Sequence, residues 1–395
     1  MEQIKLKYIA ESFTTAIKQE EVHEKGKYEV YGASGFVGYL DEFGCDTDYL
    51  GIVKDGAGVG RINFYPKNTS LLGTMAYILP IDNNITDIKF LKYSIEAMEL
   101  GKTSGDRATI PHIYFSKYGN NYVYKYPLET QQKIVSAIDS KTIKIDSLIA
   151  NEEKQIEKLK SYKQSLITET VTKGLDKNAK MKDSGVEWIG EIPEGWECRK
   201  LKTLVTDIGD IDHYMPESVI NGFPYVMTGD LKSNVSEIDF EKCKMVSKEE
   251  FDKLSKKIKA EKGDLIFARY ATIGTVCFVD IDKEFLVSYS CVVIKIKKDE
   301  LFGKYLNYYI QSNSFLEEAK KYTNSNTQGN VGISSLNEML ITLPELKKQN
   351  EIINFLDEKC TQIDKLISLK ESKIEKLNAY KKSLIYEYVT GKKEA

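Results

Sequence analysis

Only a handful of the chain's 56 basic residues are arginine, and three of these, Arg61, Arg107 and Arg269, fall in polar stretches between strand-like or helical runs. Arg61 closes the glycine-rich stretch KDGAGVGR, and Arg269 lies in FARYATIGT; matching Gly60 to Gly274 places the two stretches at corresponding points of two related segments. Arg107 lies in KTSGDR, just after a helical run, where the second segment carries TNSNTQGN. A guanidinium presents a planar fork of donors that suits the major-groove edge of guanine, while Asn and Gln amides suit adenine. Asn324, Asn326, Gln328 and Asn330 supply that second chemistry. Lys54 and Lys102 add charges of the kind that hold phosphates, and Tyr270 and Thr272 share the loop of Arg269. These stretches thus have the composition of recognition loops. The plain alternative is that they are polar because water covers them.

Other chemistries fail on spacing. KDGAGVGR holds G-x-G-x-G, but INFYP follows as a strand, whereas a dinucleotide fingerprint must open a helix. Gly101-Lys102-Thr103 resembles the end of a phosphate loop, yet Glu96 stands where the earlier glycine is needed. Neither HExxH nor GxSxG occurs. His23, His112 and His213 have no partners at triad or metal-ligand spacing and read as ordinary surface or core residues. The six cysteines, Cys45, Cys198, Cys243, Cys277, Cys291 and Cys360, are scattered without CxxC, as expected of reduced thiols in a cytoplasmic protein. No catalytic constellation and no metal site are expected on this chain.

The elements that must position the loops come in two sets. A length of 395 residues accommodates two domains with connecting elements. No long apolar run indicates a membrane span, and MEQIKLKYIAESF lacks the apolar core of a signal peptide. The net charge of −3 does not announce a nucleic-acid binder, although a whole-chain charge can hide local patches. Residues 131–172 (QQKIVSAID through SLITETVT) and 349–390 (QNEIINFLD through SLIYEYVT) align at a constant offset of 218 residues without a gap. About half of the aligned pairs are identical, far beyond chance; the long period indicates a duplicated domain-plus-helix unit, not a solenoid.

Each copy of the repeat is free of Pro and Gly and has helical apolar spacing. Ile138, Ile145, Leu159 and Leu166 lie on a heptad row interrupted by Glu152, with Ile134, Leu148 and Tyr162 beside it. Leu356, Ile363, Leu377 and Leu384 form the matching row interrupted by Lys370, with Ile352, Leu366 and Tyr380 beside it. Each helix would be a rod of roughly 60 Å. If the two pair antiparallel about a pseudo-dyad, Glu152 and Lys370 meet across the seam and set its register, flanked by Ile145, Leu159, Ile363 and Leu377. The rival reading leaves both charges facing solvent. The expected fold class is α+β: two α/β domains, each followed by a long helix, the helices forming an antiparallel coiled coil with pseudo-two-fold symmetry. The boundaries are 1–127 for the first domain, 128–174 for the first helix, 175–198 for a linker anchored by Trp188 and Trp196, 199–344 for the second domain and 345–391 for the second helix. The first domain has no counterpart of the GEIPEGWE lead-in to the second.

The paired helices, their ends SLITETVTKGL and SLIYEYVTG, the linker MKDSGVEWIGEIPEGWECRKLK, and the stretches YEVYGASGFVGYLDEF and GDLIFARYATIG together resemble the specificity subunit of a type I restriction–modification system. The resemblance spans essentially the whole chain. It implies that each α/β domain is a target recognition domain reading one half of a bipartite site on double-stranded DNA. It also implies that the helices hold the domains apart and bind two methyltransferase (modification) subunits, with restriction/translocase subunits joining for cleavage. S-adenosylmethionine, ATP and Mg would be bound by those partners, with no cofactor on this chain. Loops about 60 Å apart suit major grooves one to two turns of about 34 Å apart. The chain alone should bind DNA weakly, and the complex tightly and salt-sensitively. A non-catalytic scaffold with two ligand-binding domains on a coiled-coil spacer is the alternative.

Overall fold

The structure, a computed structural model, describes residues 2–56, 58–103, 111–269, 274–322 and 331–395. The chain folds as two compact units, Met1–Glu153 with Lys370–Ala395, and Lys154–Leu369. Each unit therefore holds one α/β domain together with about half of each long helix.

In the first unit a four-stranded antiparallel sheet runs in the order Ala10–Thr14, Met75–Pro80, Tyr49–Val53, Ile62–Tyr65. The second unit repeats that order with Val205–Gly209, Cys291–Ile296, Leu265–Ala268 and Val276–Phe278. A three-stranded sheet packs beside each: Gly35–Leu40, Tyr28–Gly32 and Ser70–Leu71 in one, Lys244–Val246, Phe223–Val226 and Leu286–Val287 in the other. The entry strand is also duplicated: Gln3–Lys5 pairs with Tyr122–Tyr124, and Glu197–Lys200 pairs with Leu340–Leu343.

The central strands explain the layering. Every residue of Tyr49–Val53 is buried. Because successive side chains alternate faces, Leu50 and Ile52 join Leu91 and Ile95 of a helix, while Tyr49 and Val53 join Leu71 and Tyr77 on the other side. In the second unit, Leu265 and Phe267 face Tyr305 and Tyr309, while Ile266 and Ala268 face Tyr225 and Val226. Each strand thus divides two cores.

Two local readings change. The helical run ahead of KTSGDR gives a helix over Ile88–Glu96 only, with Asp87 accepting from the backbone of Lys89 and Phe90 at its start. Gly101 lies inside a separate helical turn, Leu100–Thr103, and a Cβ there would sit 2.7 Å from the Val59 carbonyl. Close packing, not termination, requires that glycine. The 175–198 linker is built into the second unit: Met181–Asp183 and Glu191–Pro193 form a hairpin, and Trp196 is buried with Ile167 and Val171. Trp188 donates to Glu318 from 3.4 Å, and Lys321 Nζ lies 3.4 Å from the centroid of its ring. Two short strands between turns leave no periodic signal in the sequence.

The long helices span Leu128–Lys173 and Leu346–Val389. The first ends at Gly174, whose φ of +75° is a left-handed cap conformation. In the first unit Asp146 pairs with Lys381 at 2.6 Å, and Glu152 pairs with Lys370 at 2.9 Å and Lys373 at 2.6 Å. In the second, Lys163 pairs with Asp364 at 2.7 Å. Rising numbers on one helix meet falling numbers on the other, so the helices run antiparallel. Asp146–Lys381 and Asp364–Lys163 are one ion pair made twice, since both residues move by the repeat offset.

Ile138, Ile145, Ile156, Leu356, Ile363 and Leu384 are buried, and Leu159 and Leu377 are half-buried. The row beside the seam departs from expectation. Ile134 and Ile352 are buried because a domain covers them, through Phe90 and Tyr93 or through the second unit's core. Leu148, Tyr162, Leu366 and Tyr380 lie where no domain reaches, and all are exposed. Two helices alone bury only a narrow stripe.

Each domain is joined to its helix by the same contacts. Gln131 accepts from Asp87 N at 2.9 Å and donates to the Ile85 and Tyr126 carbonyls at 2.8 Å. Gln349 accepts from Phe302 N and donates to the Glu300 and Pro344 carbonyls, each at 2.9 Å. Asp139 is held by Tyr93 and Lys89, and Asp357 by Tyr308 and Lys304. Burial and the neighbouring carboxylate push both tyrosines' pKa values up, so both remain donors. Among the described residues no helix is long and apolar enough to cross a membrane.

Candidate nucleic-acid interface

The recognition stretches are the connections of two equivalent hairpins, Tyr49–Val53 to Ile62–Tyr65 and Leu265–Ala268 to Val276–Phe278. Their roots are closed alike. Val53 N donates to Arg61 O at 2.8 Å and Lys54 N to Thr74 O at 3.0 Å; Ala268 N donates to Thr275 O at 2.9 Å and Arg269 N to Ser290 O at 3.0 Å. Lys54 and Arg269 therefore occupy one structural position, and Arg61 corresponds to Thr275. Gly60 and Gly274 both take left-handed backbone, at φ +84° and +88°. A Cβ on Gly60 would meet Gly101 N at 2.7 Å, and one on Gly274 would meet the Leu316 side chain at 2.7 Å. Each hairpin thus abuts the segment leading to the second polar stretch, 104–110 in one unit and 323–330 in the other.

The cations differ in setting. Arg61 is exposed, with Nη2 donating to the Ala33 carbonyl at 3.1 Å, which ties its guanidinium to the tip of the neighbouring Tyr28–Leu40 hairpin. Lys54 is half-buried, with Nζ 3.7 Å from Asp55. The Arg269 side chain is only 12% exposed and donates to Asp210 at 2.6 Å, so it braces the root of its loop. Lys102 stands in the Leu100–Thr103 turn. Arg107, Tyr270, Thr272, Asn324, Asn326, Gln328 and Asn330 lie outside the described residues. The remaining arginine, Arg199, pairs with Glu300.

Sequence reasoning passed over two histidines. His112 Nδ1 lies 2.6 Å from Asp55 Oδ1, and His213 Nε2 lies 2.9 Å from Asp210 Oδ2. Lys257 Nζ lies 3.8 Å from Asp210 on its other oxygen. A usable signal existed: the chain has only three histidines, and His112 closely follows the Arg107 stretch. At the centre of the helix pair, Glu152 is buried, and hydrogen bonds from Lys373 and then Lys370 hold its carboxyl below the usual range.

Each unit thus carries Lys54 or Arg269 at the root of an equivalent hairpin connection on its sheet. Residues 193–379 match the family described as Type I restriction modification DNA specificity domain. The chain is 28% identical over 354 residues to the type I restriction enzyme MjaVIII specificity subunit of Methanocaldococcus jannaschii, covering 88% of this chain and 79% of that one. It superposes with a TM-score of 0.67 and 14% identity on a solved chain described under the structural basis of complex assembly and conformational transition of the type I R-M system, covering 98% of this chain and 97% of that one. That likeness is one of fold. Residues 193–379 thus match the DNA specificity domain of type I restriction–modification systems, and most of the chain is similar to a specificity subunit of such a system.

Proposed function

We propose that this chain reads a bipartite sequence on double-stranded DNA, one half-site per unit, and directs adenine methylation or cleavage by partner subunits without performing catalysis. The observation that carries the reading is the duplication of the whole assembly, from the Gly60 and Gly274 hairpins to the Gln131 and Gln349 joints. Each unit carries one such hairpin and its own stretch of paired helix. Arg61 is the base reader favoured in the first unit, because it is exposed and oriented. The loop beyond Arg269 reads in the second, and lysines around both loops hold phosphates.

The exposed residues of the helices support two like partner sites. Leu148 and Tyr380 flank the Asp146–Lys381 pair, while Tyr162 and Leu366 flank the Lys163–Asp364 pair. We assign these surfaces to two methyltransferase subunits, which would carry S-adenosylmethionine; restriction subunits would bring ATP and Mg. Selection from random duplexes in the presence of the methyltransferase subunit tests the reading. Two short half-sites at a fixed gap are expected, and absence of enrichment would favour a protein scaffold. Arg61→Ala should relax one half-site only.

A further inference from the structure

Two of the chain's three histidines stand at the roots of the two recognition hairpins, each bonded to an aspartate beside a basic residue. Duplication does not explain this. Asp55 lies within the first hairpin connection and reaches His112 from 57 residues away, while Asp210 and His213 both follow the Val205–Gly209 strand. The rings are also held by opposite nitrogens, Nδ1 in His112 and Nε2 in His213. Each unit thus sets a histidine–aspartate pair beside its own hairpin root, reached by a different route.

We propose that His112 and His213 are contacts to DNA backbone phosphates, each aimed by its aspartate; this rests on the DNA-reading function proposed above. An aspartate on one ring nitrogen fixes the imidazole and turns the other nitrogen outward, where it accepts in the neutral ring and donates to a phosphate once both nitrogens carry protons. The side chains are 44% and 55% exposed, so a ligand can reach them. In the first unit the groups around the ring are Asp55, Lys54 on the same aspartate, and the Tyr114 ring at 6.5 Å. In the second they are Asp210, its partners Arg269 and Lys257, and the Tyr289 ring at 5.6 Å; Lys257 is shared with Asp212. Lysine and aspartate cancel in the first cluster, as do the two basic residues and two aspartates in the second. A proton on the histidine makes each cluster positive, and a phosphate favours that state. Because phosphates carry no sequence information, these residues set affinity, not preference.

The test uses the full chain assembled with its methyltransferase subunit on a duplex selected by that complex, titrated with salt at pH 6 and pH 8. The native complex should bind more tightly at pH 6. The His112→Gln/His213→Gln double variant, whose amides can still meet the aspartates, should lose that difference. It should bind roughly tenfold more weakly at pH 6, with a shallower salt dependence and an unchanged selected sequence. His→Lys at both positions should restore the salt dependence at both pH values. Retention of the pH difference and salt slope by the Gln variant would overturn the inference, as would a changed sequence preference. Failure of the native complex to select any duplex would instead overturn the DNA-reading function itself.

Discussion

The joint between domain and helix and the root of the recognition hairpin lie at different places in each unit, and they compare differently across the duplication. At the joint, the two units use the same residue types on the same partners: Gln131 and Gln349 each satisfy three backbone groups, and Asp139 and Asp357 each hold a tyrosine and a lysine. At the hairpin root the backbone is repeated but the chemistry is not. Lys54 faces Asp55 across 3.7 Å at half-buried positions, whereas Arg269, its side chain 12% exposed, pairs with the buried Asp210 at 2.6 Å. The joint does the same task twice. The hairpin roots carry different side chains on one backbone scaffold.

The sharpest way to break this comparison is to remove both cations. Arg269→Ala removes the guanidinium from the buried Asp210, leaving His213 and Lys257 beside it, and should destabilise the second unit by about 3 kcal/mol. Lys54→Ala should cost under about 0.5 kcal/mol, being one side of a looser pair. Equal losses in thermal unfolding would show the two roots to be alike after all. In the DNA selection, Arg269→Ala should disturb one half-site only.

The joints should behave as a matched pair. Gln131→Ala and Gln349→Ala each leave buried backbone groups without partners and should each cost about 2 kcal/mol, read by amide exchange at residues 85–87 and 300–302. A large effect in one unit and none in the other would contradict the equivalence. Tyr93→Phe and Tyr308→Phe remove one hydrogen bond to Asp139 or Asp357 and should each cost about 1 kcal/mol, measured by the shift in melting temperature. The smallest effect expected concerns Glu152. Its carboxyl is held low by Lys373 and Lys370, so the folded state binds its proton less readily than the unfolded chain. That contribution is present above the ordinary carboxylate range and is lost as pH falls through the depressed value. Glu152→Gln should flatten this part of the acid-unfolding profile; an unchanged profile would remove the ion pairs from the account.

What the sequence revealed followed from range. Helix length, the repeat offset and the positions of Glu152 and Lys370 come from local periodicity plus symmetry, and those two side chains lie 2.9 Å apart. Gly60 and Gly274 could be matched from sequence because both turns require left-handed backbone. The setting of Arg269 could not be read, since Asp210, which decides it, lies 59 residues away and joins it only through the sheet. Asp55 and His112 were hidden for the same reason. The exposure of Leu148 and Tyr380 was missed because periodicity identifies an apolar row without saying where a domain stops covering it.

The interleaving of the units also sets an order of assembly. Lys154–Leu369 is one uninterrupted stretch and can close as soon as it has left the ribosome. Phe90, Tyr93, Ile134 and Ile138 pack against Leu384, Ile385, Tyr388 and Val389, which follow the whole of Lys154–Leu369 in the chain. At ordinary elongation rates the first domain waits about twelve to fifty seconds for that cover. The part translated first is therefore the part finished last, and its apolar docking face is open to chaperones, or to misassociation, throughout the interval.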